Sequence, residues 1–241
     1  MYPVDSFNKH PRSPKNFAEQ SPAVSREDLQ HELLQTDLAC LARDEQLLDS
    51  LAQYLNTLLQ WNKRFNLVGP KSWQAILHNL ILDSLYLAYY LPELRLPEQS
   101  LTLDFGAGAG LPGLPLRICS CKGTYIMLEP RQKRAAFLQH MIVSLQLEQT
   151  VVRNQRVQDL HPEKFKADLI LSRGFCVWPD FLQTSVPFIR PDGYVLTFSS
   201  RPWQDKDQAP APWSFNRQWT YSLSSGVQRY FWLFSPNRDC S

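Results

Sequence analysis

The 241-residue sequence lacks a strong net charge, since 25 lysines and arginines face 23 aspartates and glutamates and leave a formal charge of +2. This balance excludes a protein that binds nucleic acid through positive charge spread over its whole surface. Any nucleic-acid partner would have to meet a local basic patch. Glycine is scarce as well, with 9 residues against 18 prolines, yet 44% of the residues are hydrophobic, which excludes a disordered or fibrous chain.

The sequence also has few cysteines and no long apolar run. The five cysteines form no C-x-x-C pair and have no histidine at ligand spacing, so we expect reduced thiols and no metal site. The most apolar stretch, 76–94, is interrupted by His78, Asn79, Asp83 and Ser84 and is too polar to span a bilayer. We therefore expect a soluble, cytoplasmic protein without a membrane partner, and a monomer.

The first 95 residues divide into a tail and a set of helices. Residues 1–25 are polar and proline-containing, which predicts a disordered tail. Residues 26–95 have helical periodicity and predict a helical cap, which begins with a capping box formed by Ser25 and Asp28. The apolar positions of the three predicted helices are Leu29, Leu33, Leu34, Leu38 and Leu41, then Leu47 to Leu59, then Trp73 to Leu91.

From residue 96 to residue 241, short apolar strands alternate with amphipathic helices. This alternation predicts an α/β domain whose parallel sheet is covered on both faces, as in Rossmann-like folds. The last two strands predict a closing antiparallel pair. The predicted strands are 101–105, 125–128, 151–152, 168–171, 194–198, 219–223 and 229–234, and the predicted helices are 111–120, 131–147 and 181–189.

The strongest functional pattern is the glycine-rich segment 104–113, which follows the first predicted strand and opens a helix. Glycines allow the backbone to approach a ligand closely, and a helix N-terminus adds partial positive charge. The spacing Gly108-x-Gly110-x-x-Gly113 also satisfies the dinucleotide pattern, which is weak evidence when it stands alone. The segment therefore indicates a nucleotide or nucleoside cofactor.

Two features favour S-adenosylmethionine over a nicotinamide dinucleotide. Asp104 precedes the first glycine by two residues, where its carboxylate could reach the ammonium group of a ligand. Pro112 and Pro115 stiffen the loop more than is usual for a pyrophosphate turn. Glu129, at the end of the second strand, could accept hydrogen bonds from ribose hydroxyls of either cofactor. A NAD-dependent oxidoreductase stays an alternative, although no substrate domain is evident for it.

Several short motifs occur in an order that resembles a known family. They are 59–67 (LQWNKRFNL), 82–85 (LDSL), 110–113 (GLPG), 133–138 (KRAAFL), 156–157 (RV), 172–175 (SRGF) and 229–230 (RY). With them the chain resembles the bacterial small-subunit rRNA guanine-N7 methyltransferases, also called glucose-inhibited division protein B. The resemblance implies a class I methyltransferase fold, S-adenosylmethionine as methyl donor, and guanine N7 in the 530-loop region of 16S rRNA, or of the small ribosomal subunit, as substrate.

The resemblance also implies roles for individual residues. Gly106 and Leu111 would line the methionine part of the donor, Glu129 would hold the ribose, and Val157 and Gln158 would contact the adenine. The full predicted cofactor set is Asp104, Gly106, Gly108, Leu111, Glu129, Val157, Gln158 and Arg173. Arg173 and Asn66 are the candidate catalytic residues, with Asn62 and Asp83 supporting the pocket. Local charge and stacking add an RNA-binding set of Lys63, Arg64, Lys133, Arg134, Arg156 and Phe175.

Some of these residues have a structural alternative. Trp61 and Phe65 could pack between cap and sheet. Asn62 and Asn66, one helical turn apart, could cap a helix end. Phe175 could belong to the core as readily as it could stack on a base.

Three departures from the family pattern bear on activity. Gln158 stands where the family has Glu, Asn79-Leu80 stands for Arg-His, and Ser199-Ser200 stands for Lys-Gly, with Arg201 two places further on. The changes at 79–80 and 199–200 concern the expected RNA side. They leave open a second hypothesis, a degenerate member that binds RNA or the small subunit without methyl transfer. The absence of a Ser-His-Asp or Cys-His constellation is no objection to the enzyme, because guanine N7 has a free lone pair and no proton.

Overall fold

A computed structural model of the protein describes residues 23–223 and 226–237. The predicted tail lies outside the described residues, except for its last three positions. Among these, Val24 is buried, and its N–H and C=O both pair with the side chain of Asn56, at 2.9 and 2.8 Å. Ser25 and Asp28 form the predicted capping box at the start of the first helix.

The N-terminal helices are α1 (Arg26–Leu34), α2 (Glu45–Phe65), α3 (Trp73–Ile76) and α4 (Leu82–Tyr90), with a π-helical segment at Leu77–Ile81 between the last two. The prediction that the first helix runs on to Leu41 is wrong. Thr36 Oγ1 donates to the Leu33 carbonyl (2.8 Å) and accepts from the Leu38 N–H (3.1 Å), and this bonding competes with the helical pattern. Leu38, which lies in the turn after α1, is buried, whereas Leu34 at the end of the helix is exposed.

Seven strands form one sheet in the order β3-β2-β1-β4-β5-β7-β6, with β1 to β5 parallel and β7 antiparallel to both of its neighbours. The predicted parallel sheet and closing antiparallel pair are confirmed. The strands are β1 (Leu101–Phe105), β2 (Thr124–Leu128), β3 (Thr150–Arg153), β4 (Ala167–Ser172), β5 (Ile189–Ser199), β6 (Trp213–Ser222) and β7 (Gln228–Pro236). The helices among them are α5 (Gly113–Cys119), α6 (Gln132–Ser144) and α7 (Trp178–Ser185).

Alternating strand residues divide the core into two clusters. On β1, Leu103 and Phe105 belong to an aromatic-rich cluster with α7, while the opposite face of the sheet packs with α5, α6 and the N-terminal helices. Trp61 joins cap and sheet domain, because its ring lies 5.4 Å from that of Phe137 on α6. The packing alternative for Trp61 is therefore the observed one. Within the described residues, no helix is both long and apolar enough to cross a bilayer.

The sheet order reverses between β1 and β4, so the chain leaves these two neighbouring strands in opposite directions. In open α/β sheets, a crevice forms outside the carboxyl ends of the strands at such a switch point. The glycine-rich segment follows β1, Glu129 follows β2 and Arg173 follows β4. The fold thereby brings the three predicted site segments to one edge of the sheet.

Candidate active site

The glycine loop between β1 and α5 adopts a conformation that ordinary side chains disfavour. Gly106, Gly108 and Gly110 have φ angles of +72°, +59° and +84°, in the left-handed region. The N–H groups of Gly106 and Ala107 both donate to the carbonyl of Leu128, at 2.9 and 3.1 Å. The loop is therefore bound to the end of β2.

Glu129 connects this loop to the next helix. Its Oε2 accepts the Gly108 N–H and its Oε1 accepts the Arg131 N–H, both at 2.9 Å. The side chain of Asn154 donates to the Glu129 carbonyl at 2.8 Å. A carboxylate has about four acceptor positions, so two are left for other donors, although the residue is buried.

Asp104 lies at the end of β1 and is fully buried. Its Oδ2 accepts the Tyr125 hydroxyl at 3.1 Å, and the backbone of Gly113 also bonds to the carboxylate. Its Oδ1 has no hydrogen-bond partner among the described residues. Burial raises the pKa of Asp104 to about 7, because the charged form loses its hydration. Asp104 therefore presents an unsatisfied acceptor next to the glycine loop.

A cavity of about 190 Å³ lies beside the loop, and it brings together five residues of the predicted set: Gly106, Arg156, Val157, Gln158 and Phe175. Leu128, Pro130 and Gln155 complete its wall. A larger cavity of about 450 Å³ lies around Ser100, Thr102 and Leu169, at the amino ends of the strands and away from the glycine loop.

Phe175 lies between core and cavity, which accounts for the two alternatives that its sequence left open. Its ring meets that of Phe105 edge-on, at 5.9 Å between centroids. A Cβ atom on Gly106 would lie 3.0 Å from the ring of Phe175, so a larger residue than glycine would crowd it. Its predicted stacking on an RNA base stays a prediction.

Arg173 is held by the cap. Its Nη2 donates to Asp83 Oδ2 and to the Asn79 carbonyl, both at 2.9 Å. The other oxygen of Asp83 accepts the hydroxyl of Tyr221 on β6 at 2.8 Å. Burial raises the pKa of Asp83, and the charge of Arg173 opposes that rise. The network fixes the guanidinium at the carboxyl end of β4.

Asn62 and Asn66 close the end of α2. Asn66 is the last residue of the turn, with φ +47°, and its side chain accepts from Lys71 Nζ at 3.0 Å. Asn62 is buried, accepts the Val68 N–H at 3.0 Å and donates to the Pro70 carbonyl at 3.2 Å. Asn66 is thus the C-terminal cap of α2, whereas the side chain of Asn62 binds the segment that follows the helix. Asn66 does not line the cavity beside the loop. A catalytic role for Asn66 stays a prediction without a supporting contact.

The basic residues separate into two groups. Lys63 and Arg64 lie in the last turn of α2, and Lys133 lies nearby, with Nζ 5.3 Å from the ring centre of Phe65. Arg134 is directed to the glycine loop, with Nη1 3.5 Å from the point where a Cβ atom would stand on Gly108.

The residues at the positions that depart from the family pattern make specific contacts. Leu80 is partly buried against the core cluster that joins the N-terminal helices to the sheet, and His78, which lies close to it in sequence, contacts Glu32 at 2.8 Å. Ser199 Oγ donates to the Arg201 carbonyl at 2.8 Å, and the guanidinium of Arg201 pairs with Asp207 at 2.6 Å. Arg201 therefore forms a local ion pair instead of extending freely from the end of β5.

Sequence reasoning missed one contact to the loop. Tyr54 on α2 is fully buried, and its hydroxyl donates to the Ala109 carbonyl at 2.9 Å. The signal was a tyrosine on an otherwise aliphatic buried stripe, because a buried tyrosine hydroxyl needs a hydrogen-bond partner.

The chain is similar to known proteins of one family. The family model of GidB, rRNA small subunit methyltransferase G, matches residues 47–228. The ribosomal RNA small subunit methyltransferase G of Oleidesulfovibrio alaskensis is 37% identical over 197 residues, 78% of this chain and 85% of that protein. Its counterpart in Nitratidesulfovibrio vulgaris is 39% identical over 190 residues, 79% of this chain and 86% of that protein.

A solved structure supports the fold at lower identity. A SAM-dependent methyltransferase from Aquifex aeolicus has a TM-score of 0.50 and 17% identity, and the match covers 72% of this chain and 97% of that chain. The fold is that of class I S-adenosylmethionine-dependent methyltransferases. By its motifs, its fold and these matches, the chain belongs to the rRNA small subunit methyltransferase G family.

Proposed function

We propose that this protein transfers the methyl group of S-adenosylmethionine to N7 of a guanine in the 530-loop region of 16S rRNA. One observation carries the proposal within the family: the glycine loop, Glu129 and the cavity beside Gln158 lie together at the switch point of the sheet. This is the arrangement that a nucleoside donor requires at the carboxyl ends of the strands.

The described residues fit a nucleoside that carries an amino acid. The unpartnered Oδ1 of Asp104 is an acceptor for an ammonium group, directly or through water. The glycine at position 106 leaves room beside Phe175 that a side chain would fill. Glu129 retains acceptor positions for ribose hydroxyls, and Val157 with Gln158 supplies an apolar wall and an amide for adenine.

When bound, S-adenosylmethionine supplies a methyl group activated by its positively charged sulfur. Guanine N7 carries a lone pair and no proton, so the protein needs no general base. Its residues then act by positioning the two partners and by excluding water from the space between them. Arg173, oriented by Asp83, is our candidate at the reacting centre, and Lys63, Arg64, Lys133 and Arg156 are our candidates for the RNA phosphates.

The experiment has two stages. Calorimetry with S-adenosylmethionine measures donor binding, and absence of binding would contradict the proposal. Transfer of a labelled methyl group is then measured on small subunits from a bacterial strain that lacks its own family member. We expect labelled N7-methylguanine in the 530 loop, and label at another atom or in another region would also contradict the proposal.

A second candidate is a family member that binds the small subunit without methyl transfer. The observation that favours it is the pair of departures at Leu80 and Ser199, both on the expected RNA side. Donor binding and subunit binding without any label in the RNA would favour this candidate.

A further inference from the structure

Arg134 lies in the first turn of α6, and its side chain reaches over the glycine loop. Its Nη1 is 3.5 Å from the position of a Cβ atom on Gly108, the residue whose N–H donates to Glu129. Arg134 is half-buried, whereas its neighbours Arg131 and Lys133 are exposed. The guanidinium therefore faces the loop rather than open solvent.

Within the described part of the chain, Arg134 forms no ion pair with an aspartate or glutamate. Arg26, Arg173, Arg190, Arg201 and Arg217 each face an aspartate or glutamate within 4.0 Å. A half-buried guanidinium that lacks such a partner is suited to an anion supplied by a ligand, and its planar fork matches a carboxylate.

We propose that Arg134 binds the carboxylate of the methionyl part of the donor, an inference that rests on the proposed function. The donor's amino acid carries one positive and one negative group. Asp104 offers a free acceptor for the ammonium on the β1 side of the loop, and Arg134 offers donors for the carboxylate beside Gly108. This moves Arg134 from the predicted RNA-binding set to the donor site.

The test compares two ligands that differ in the amino acid. S-adenosylhomocysteine has it, and methylthioadenosine keeps the adenosine and the sulfur but lacks it. In Arg134→Met, we expect calorimetric affinity for S-adenosylhomocysteine to fall about tenfold to a hundredfold, the loss expected for a charge-assisted hydrogen-bond pair. Affinity for methylthioadenosine should stay at the wild-type value.

Two further variants serve as controls. Arg131→Met removes the same charge from the exposed neighbouring side chain and should leave the affinity for both ligands unchanged. Arg134→Lys keeps the charge without the planar fork and should restore part of the lost affinity. Thermal unfolding of each variant without ligand establishes that it is folded.

Three results would overturn the inference. Equal losses for both ligands would indicate a distorted loop, and unchanged affinity for S-adenosylhomocysteine with weaker binding to small subunits would return Arg134 to the RNA-binding set. If the wild-type protein binds neither ligand, the proposed function fails together with the inference. The wild-type titration thus distinguishes the two failures.

Discussion

Asp104 is the side chain whose burial most clearly opposes stability. Its pKa is about 7 in the folded protein, against 3.8 in the unfolded chain, because burial removes water from the charged form. Between pH 3.8 and pH 7, Asp104 loses its proton in the unfolded chain but keeps it in the folded protein. The free energy of unfolding therefore falls as the pH rises through this range, and it stays lower above pH 7. At roughly 1.4 kcal/mol per pKa unit, the loss is on the order of 4 kcal/mol.

Asp104→Asn should therefore stabilise the protein while weakening its donor site. We expect the melting temperature without donor to rise by several degrees at pH 8 and by less at pH 5, because the amide has no charge to bury. Calorimetry should show weaker binding of S-adenosylmethionine, whose ammonium loses a charged acceptor. Thermal unfolding at both pH values measures the first effect, and a lower melting temperature at pH 8 would contradict it.

Asp168→Asn is the matched control for this prediction. Asp168 is a half-buried carboxylate at the start of β4, where it accepts the Leu101 N–H at 2.7 Å and faces Arg190 at 3.5 Å. Since its charge is paired and far from the glycine loop, its removal should not stabilise the protein or change donor affinity.

The helix α2 links the glycine loop to the basic end of the cap. Tyr54, midway along it, bonds to Ala109 in the loop, and Lys63 and Arg64 occupy its last turn. An anchoring hydrogen bond on a rigid helix can hold a loop whose own glycines leave it free to move. We therefore propose that the cap, through Tyr54, supports the loop at which the donor is expected to bind.

Tyr54→Phe tests this proposal, because it removes only the hydroxyl and leaves the buried Ala109 carbonyl without its donor. We expect stability to fall by about 1 to 3 kcal/mol. Affinity for S-adenosylmethionine should fall several-fold, and the KM for small subunits should not change.

Tyr86→Phe is the matched control, because Tyr86 on α4 is also buried and its hydroxyl donates to the Ser222 carbonyl at 3.1 Å. It should lower stability without changing donor affinity. Equal donor affinities of the Tyr54 and Tyr86 variants would show that Tyr54 acts on stability alone.

The end of β5 offers a gain-of-function test. Ser199 is half-buried and close to the carboxyl end of β4, at the position where the resemblance implies a lysine. Ser199→Lys should raise the affinity for small subunits and the rate of methyl transfer a few-fold, because it adds a positive charge at the expected RNA side. The lysine variant should keep the wild-type affinity for the donor, and the control Ser199→Ala should have the wild-type subunit affinity and transfer rate. An unchanged transfer rate in the lysine variant would show that this chain does not use the position.

Charge over the whole protein is close to balanced, but its distribution is uneven. Lys63 and Arg64 lie in the last turn of α2, and Lys133, at the start of α6, reaches Phe65 at the end of the same helix. On the opposite edge of the sheet, Lys122 is paired with Glu98 at 2.8 Å. A net charge of +2 is thus compatible with one basic face that meets one structured RNA site.

Salt dependence measures the size of that face. The double variant Lys63→Gln with Arg64→Gln should bind small subunits more weakly at low salt, and the slope of log K against log salt should become shallower by about 1 to 2. Lys122→Gln, at the other edge, should leave both unchanged. Equal slopes for all three proteins would show that the end of α2 does not contact RNA.

Local pattern was sufficient for the elements that depend on neighbours in sequence. The capping box at Ser25, the strand before the glycine loop and the closing antiparallel pair were all predicted, because they follow from side-chain period and from glycine's lack of a Cβ atom. The helix end at Leu34 was missed, since the hydroxyl of Thr36 competes for backbone groups only in a conformation that the apolar period does not reveal.

The chain's family, its fold class and its glycine loop could thus be inferred from the sequence, because strand, turn and helix depend on the order of neighbouring residues. The roles within the site depended on packing between distant segments. Tyr54 meets Ala109 across 55 positions, and Asp83 meets Arg173 across 90 and Tyr221 across 138. Such contacts form only when the N-terminal helices pack on the sheet. The tertiary structure also distinguishes Arg134, which lies at the glycine loop, from the neighbouring Lys133, which lies beside Phe65, although the sequence gives both the same charge.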